Sequence, residues 1–231
     1  MIGIIGAMDL EIEQLLAGST VRKVETYADK QFFSASFHGR DLVIAKSGVG
    51  KVNAAITTTL LLTIYKPEYV LNIGVAGGLA GTKVKDIIIA SGIAYSDVSL
   101  VDIDAVPYGK MGDDPLIVYP DADLVNKAMR VLNHASRPYR RGNIVSGDSF
   151  VTKKAALEAI LEVIPDVVAC EMEGMAIAMT CHKFNVPFLS IRGISDLVEA
   201  DEQGEDYRLQ FHEVAQMTAG FVLEFLEEQD D

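Results

Sequence analysis

Short apolar runs alternate with amphipathic stretches along most of this chain. Residues 2–6 form a β-branched run ending at Gly6, and residues 7–16 follow with Met8, Ile12, Leu15 and Leu16 spaced for one helical face. Three runs of strand composition come next, 21–27, 31–37 and 41–46. Ala28-Asp29-Lys30 and His38-Gly39 separate them as turns, which predicts a β-meander. Ser47-Gly48-Val49-Gly50 breaks the third run ahead of a long helix over 51–65. A fully apolar strand at 69–73 leads into Gly74-Val75-Ala76-Gly77-Gly78, and another strand covers 86–95. Residues 97–120 show little periodicity and predict a long loop. Beyond them the pattern predicts a helix at 121–132, a strand at 142–145 and a helix at 153–161. An apolar run at 167–170, a helix-compatible segment at 174–179, a buried-strand pattern at 186–191 and an amphipathic helix from about 207 to 227 complete the chain.

Strands alternating with helices predict an α/β fold, and the early meander makes its central sheet mixed rather than purely parallel. With no linker, repeat or low-complexity stretch, the expectation is a single three-layer domain over residues 1–231, its sheet flanked by helices. Sites in such sheets gather beyond the carboxyl ends of strands. Five stretches are expected just past strands: 7–11, 47–50, 75–78, 146–150 and 195–196.

Composition narrows the classes. A hydrophobic content of 49% and a mean hydropathy of +0.23 fit a compact globule. No apolar run reaches the roughly 18–20 residues that span a bilayer. The first six residues lack the basic leader of a signal peptide, so the expected location is the cytoplasm. Twenty basic against 33 acidic residues leave a net charge of −13, which works against nucleic-acid or anionic-membrane partners. Cys170 and Cys181 have no metal-type spacing and read as small core residues of a reduced protein.

The chemistry-bearing candidates are carboxylates beside apolar walls. Glu171-Met172-Glu173 interrupts two apolar segments, and Asp196 follows a third. Ionised groups there cost free energy unless paired, bonded or protonated, so their acid–base behaviour is a candidate for perturbation. The plainer alternative is that Glu171 and Glu173 open a helix, where acids suit the macrodipole. Lys46–Val52 fails as a phosphate loop because Ala45 and Val52 stand at two required positions. Gly74–Gly78 misses dinucleotide spacing. Both glycine-rich stretches offer backbone amides to a ligand or are simply tight turns. His38, His134, His182 and His212 form no metal signature, and no serine-nucleophile motif occurs. His182 beside Cys181 reads as a surface or packing residue. Phe150, in Ser146–Val151, either stacks on a flat heterocycle or belongs to the core.

Taken together, IGIIGAMDLEIEQLL (2–16), KSGVGKVNAA (46–55), NIGVAGGL (72–79), VSGDSF (145–150), EMEGMA (171–176) and FNVPFLSIRGISD (184–196) resemble the bacterial 5′-methylthioadenosine/S-adenosylhomocysteine nucleosidases of the nucleoside phosphorylase superfamily. The resemblance runs through most of the chain in the same order. It implies a nucleoside phosphorylase-like fold and hydrolysis of an N-ribosidic bond through a cationic ribosyl species, without metal or organic cofactor. It assigns Asp196 as the acid that protonates adenine N7 and Glu11 as the base that orients and deprotonates water. Glu173 would bind the ribose hydroxyls and Met172 would pack on the sugar. Phe150 would stack on the base while the Val151 backbone bonds its edge. Arg192 and Ser195 would support the Ser-Asp segment. Glu171, Val49, Ala76 and Gly77 complete the implied substrate contacts. The implied partners are adenine nucleoside thioethers and a second copy of the chain. The chain departs from the family pattern at Val75, where serine is usual, and over residues 100–107, usually aromatic-rich. Either Tyr207 or Phe211 would close the pocket from the last helix. Two other activities share parts of this pattern: a phosphate-dependent purine nucleoside phosphorylase and an aminodeoxyfutalosine hydrolase.

Overall fold

The computed structural model describes residues 1–79, 81–103, 105–198 and 205–228, and side chains except those of 205–209. Its strands are β1 (Ile2–Gly6), β2 (Thr20–Tyr27), β3 (Lys30–Phe37), β4 (Arg40–Lys46), β5 (Val70–Gly78), β6 (Ile87–Tyr95), β7 (Tyr139–Ser146), β8 (Val167–Glu171) and β9 (Phe188–Leu197). Its α-helices are α1 (Asp9–Gly18), α2 (Lys51–Leu60), α3 (Ala122–His134), α4 (Glu158–Val163), α5 (Gly174–Phe184) and α6 (Glu205–Glu227). The strands form one sheet in the order β2-β3-β4-β1-β5-β8-β7-β6-β9. β9 also pairs with β5, so the five strands from β5 onward close into a ring and the first four extend from it as a wing.

The sheet is mixed, as the early meander requires. β2, β3 and β4 run antiparallel, whereas β1 is parallel to both β4 and β5. Within the ring β5–β9, β6–β7 and β7–β8 are parallel, while β5–β8 and β6–β9 are antiparallel. The period-two geometry of strands sends alternate side chains to two separate cores. Ile4, Leu42 and Ile44 face Ile12, Leu15, Val131, Phe221 and Phe225 of α1, α3 and α6. Ile5, Val43 and Ala45 face Ala54 of α2 and Met175, Ile177 and Ala178 of α5. Helices thus cover both faces, giving the expected three layers.

Several elements depart from their sequence patterns. Gly74–Gly78 and Ser195–Asp196, expected just beyond strands, lie inside β5 and β9. These strands pair in register from Val70↔Phe188 to Gly78↔Leu197, with an irregularity after Ala76. Cross-strand hydrogen bonding carries the glycines past the point where their own propensity would end the strand. The helix expected over 51–65 ends as α2 and continues as one π-helical segment, Leu61–Tyr65. The one expected over 153–161 begins as a 3₁₀ turn, Lys154–Leu157, and runs to Val163. Residues 97–120 form a loop whose only strand-like contact among the described residues is a bridge between Val118 and Ile93.

Candidate active site

Six sequence-distant segments meet where β1, β4, β5, β7, β8 and β9 end. Glu11 is the third residue of α1 and turns back toward the helix start. Its Oε2 accepts from the amides of Ala7 (2.6 Å) and Met8 (3.0 Å), and its Oε1 accepts from the Val75 amide on β5 (3.1 Å). The carboxylate of α1 is therefore tied to the adjoining turn and to the ring. Burial pushes its pKa up, opposed by the Arg192 charge and by these amides. Gly74 is required beneath it, because a Cβ there would collide with both the Glu11 carboxylate and the Arg192 guanidinium.

Glu173 precedes α5, and its Oε1 accepts from the Gly50 amide at 2.8 Å. Burial, and then the neighbouring Glu171 charge, push its carboxyl up to about 7. Glu171, the last residue of β8, has both oxygens engaged. Oε1 accepts from the Ser146 hydroxyl, and Oε2 accepts from the Glu173 amide (3.1 Å), the Gly174 amide (2.7 Å) and Arg192 Nη2. Arg192 Nη2 lies 3.9 Å from Glu173 Oε2 and also donates to Asn72 Oδ1 at 3.1 Å. The plainer reading of the Glu-Met-Glu segment holds in part: these acids do precede a helix, and they also lie against the buried Arg192 guanidinium.

Asp196 is held differently. Ser195 Oγ donates to its Oδ1 at 2.7 Å and lies 3.4 Å from the Ala76 carbonyl. Burial pushes the Asp196 carboxyl up, with the Ser195 bond working against the shift. Glu11, Glu173 and Asp196 all line one cavity with about 580 Å³ of empty space, part of it open to solvent. Its walls include Val49, Val75, Ala76 and Gly77 on one side and Phe150, Val151 and Met172 on another, with Ser195 beside Asp196. This size and mainly apolar lining suit a small flat ligand oriented by a few polar groups.

Most of the residues singled out from sequence converge here, and Arg192 needs correction. Arg192 does not line the cavity. It is 1% exposed and lies behind the carboxylates, where Nη1 donates to the Ile73 carbonyl and Nη2 to Asn72 and Glu171. Glu171 borders the cavity, but its oxygens already have protein donors. Phe150 is 56% exposed at the cavity mouth, so the core alternative fails. Phe211 lines the cavity, whereas the side chain of Tyr207 falls outside the described residues. His182 is exposed, and Cys170 and Cys181 are free and buried. Met8, Ser149 and Cys170 also line the cavity. Met8 and Cys170 fit their helix-face and strand patterns so well that sequence marked them only as core.

A ring-closed mixed sheet with buried acids at its strand ends defines the class. The chain belongs to the phosphorylase superfamily, whose sequence model matches residues 1–227. Within it, the chain is 42% identical over 206 residues to the 5′-methylthioadenosine/S-adenosylhomocysteine nucleosidase of Shewanella sp. (strain W3-18-1), covering 87% of each. It is 39% identical over 213 residues to the enzyme of the same name from Marinomonas sp. (strain MWYL1), covering 90% of this chain and 91% of that one. Among solved structures, the nucleosidase of Neisseria meningitidis in complex with methylthio-immucillin-A superposes with a TM-score of 0.91 at 33% identity over 98% of both chains. A futalosine hydrolase of Helicobacter pylori superposes at 0.92 and 30% identity, covering 99% of this chain and 97% of that one. The resemblance drawn from the motifs, and the nucleoside phosphorylase-like fold it implied, are borne out.

Proposed function

We propose that the chain hydrolyses the N-ribosidic bond of 5′-methylthioadenosine and S-adenosylhomocysteine, releasing adenine and the 5-thioribose product. Asp196 gives its proton to adenine N7 while the bond from C1′ to N9 breaks and its electron pair leaves with the base. Water adds to C1′, and Glu11 takes its proton. Glu173 accepts hydrogen bonds from the ribose hydroxyls, and the developing positive charge on the sugar sits between Glu11 and Glu173. Each proton transfer supplies about 10²–10⁴ in rate. Phe150 stacks on the base, the Val151 backbone meets its edge, and Met8, Val49 and Phe211 surround the 5′-thio substituent.

One observation carries the choice of water over phosphate. The described residues lining the cavity include Glu11, Glu171, Glu173 and Asp196 and not one Lys, Arg or His. A phosphate dianion placed there would face like charges without a counterion. The decisive assay is adenine release from methylthioadenosine with and without phosphate. Equal rates are expected, and strict phosphate dependence would overturn the hydrolase reading. The likeness to a futalosine hydrolase supports a second substrate for the same chemistry, so aminodeoxyfutalosine belongs in the same assay.

The working form in this reading is one nucleosidase-like domain paired as a homodimer. Val52 (70% exposed) and Ile56 (40% exposed) continue from Val49 along one face of α2, an apolar stripe that a second copy would cover. A monomeric mass in solution would remove the dimer. Among the described residues no helix is long and apolar enough to cross a membrane, and the free buried cysteines suit a reducing cytoplasm.

A further inference from the structure

The turn that presents Gly50 to Glu173 and the loop that presents Phe150 follow different strands, β4 and β7. Charge joins them. Gly50 has no side chain to cap α2, and Asp148 supplies the cap from the other loop: its Oδ1 accepts from the Lys51 amide at 2.7 Å. Lys51 Nζ lies 2.5 Å from Asp97 Oδ1 and 3.7 Å from Asp148 Oδ2. Asp97 Oδ2 in turn accepts from the Asp148 amide at 2.8 Å. The contacts close a circuit through three segments at the cavity rim. The Lys51 ammonium also stands 5.2 Å from the centre of the Tyr95 ring at the end of β6. Lys51, Asp97 and Asp148 do not themselves line the cavity.

The circuit sits between the two halves of the site. One residue before Lys51, the Gly50 amide holds Glu173 at 2.8 Å. Two residues after Asp148, Phe150 stands at the mouth. Gly50 itself has a φ of +96°, and a Cβ there would come to 3.2 Å from Asp148 Oδ1, so the two loops approach closely at a position that favours glycine. We propose that Lys51, Asp97 and Asp148 form a positioning bracket that sets the spacing between the Glu173 side and the Phe150 side, and so governs substrate affinity without touching substrate. This rests on the nucleosidase reading of the cavity. With side chains 17% (Lys51), 30% (Asp97) and 49% (Asp148) exposed, these ion pairs contribute little to global stability. Their effect falls on the geometry of the rim.

The test uses the full chain with Asp97→Ala, Lys51→Met, Asp148→Ala and Asp148→Asn. KM and kcat for methylthioadenosine, the Kd of adenine by calorimetry and the thermal midpoint are measured for each. The Ala and Met variants should raise KM and the adenine Kd about tenfold, one decade of affinity. Their kcat should stay within about threefold, and the midpoint should move by no more than about 3 °C. Asp148→Asn keeps an oxygen for the Lys51 amide and should bring the adenine Kd back to within about threefold of the parent. Unchanged KM and Kd in both Asp97→Ala and Lys51→Met overturn the bracket. So does a midpoint that falls together with kcat while KM holds, since that is lost folded enzyme. A parent that binds and cleaves while the variants bind equally well sinks only the bracket. A parent that neither cleaves nor binds adenine sinks the nucleosidase reading and the bracket with it.

Discussion

The two ends of the cavity are built on opposite terms. At the sugar end, Glu11, Glu171 and Glu173 surround Arg192, and backbone amides of Ala7, Met8, Gly50, Val75 and Gly174 reach their oxygens. At the base end, Asp196 accepts from the hydroxyl of its neighbour Ser195 and stands half-buried near the end of β9. The sugar end is a preorganised electrostatic framework whose groups also hold the fold together. The base end is a single acid on a strand, and little of the structure depends on its charge. In the proposed mechanism Asp196 gives and regains a proton and gains from that independence, while the glutamates that hold charge in place gain from being over-determined.

The largest effects should fall on turnover. Asp196→Asn retains an oxygen for Ser195 and removes only the proton, so kcat should drop about 10²–10⁴-fold with adenine affinity and thermal midpoint nearly unchanged. Glu11→Gln should lose turnover on the same scale, but it also turns an NH₂ toward amides that now donate to a carboxylate. Its midpoint should fall as well. If Asp196→Asn destabilises more than Glu11→Gln, the contrast between the two ends is wrong.

Next in size is Arg192→Met. The variant strands the buried Glu171 charge, and unfolding in denaturant should show a loss of about 3–5 kcal/mol. A stability equal to the parent would show that Arg192 is not what holds the sugar end.

The smallest effect is on pH dependence. In the proposed mechanism Glu173 accepts from the ribose hydroxyls most strongly when ionised, and its carboxyl is pushed up to about 7, so kcat/KM should climb as pH rises through that value. Stability runs the other way. A carboxyl raised from its ordinary 4.5 binds more protons folded than unfolded, so its contribution is lost as pH rises between about 4.5 and about 7. Glu173→Gln should flatten both slopes. An unchanged kcat/KM profile in that variant would remove Glu173 from the titration.

Much of this was legible along the chain. Alternation placed the strands of the wing and the helices α1, α3 and α6 to within a few residues, because one-sided burial imposes a period that sequence records directly. Glu173 and Asp196 stood out because charge beside apolar runs is costly and so calls for a reason, whereas Glu11 was marked only by the resemblance to the nucleosidases. Gly74–Gly78 misled because glycine signals a turn locally, and only pairing with β9 keeps it extended. Arg192 was expected to support the Ser-Asp segment that follows it, yet its side chain leaves β9 toward Asn72 and Glu171. The bracket of Lys51, Asp97 and Asp148 carried no signal, since three ordinary surface charges far apart in sequence acquire meaning only when their loops meet.

By itself the sequence determined the layers, the mixed character of the sheet and the candidate carboxylates Glu173 and Asp196, since burial pattern and residue chemistry are local properties of the chain. Only the tertiary structure decided that β9 closes onto β5, that Arg192 faces inward, and which carboxylate oxygens are already occupied. Closure of β9 onto β5 and the inward turn of Arg192 depend on contacts between segments more than a hundred residues apart, such as Arg192 to Asn72, and no window of sequence contains both partners.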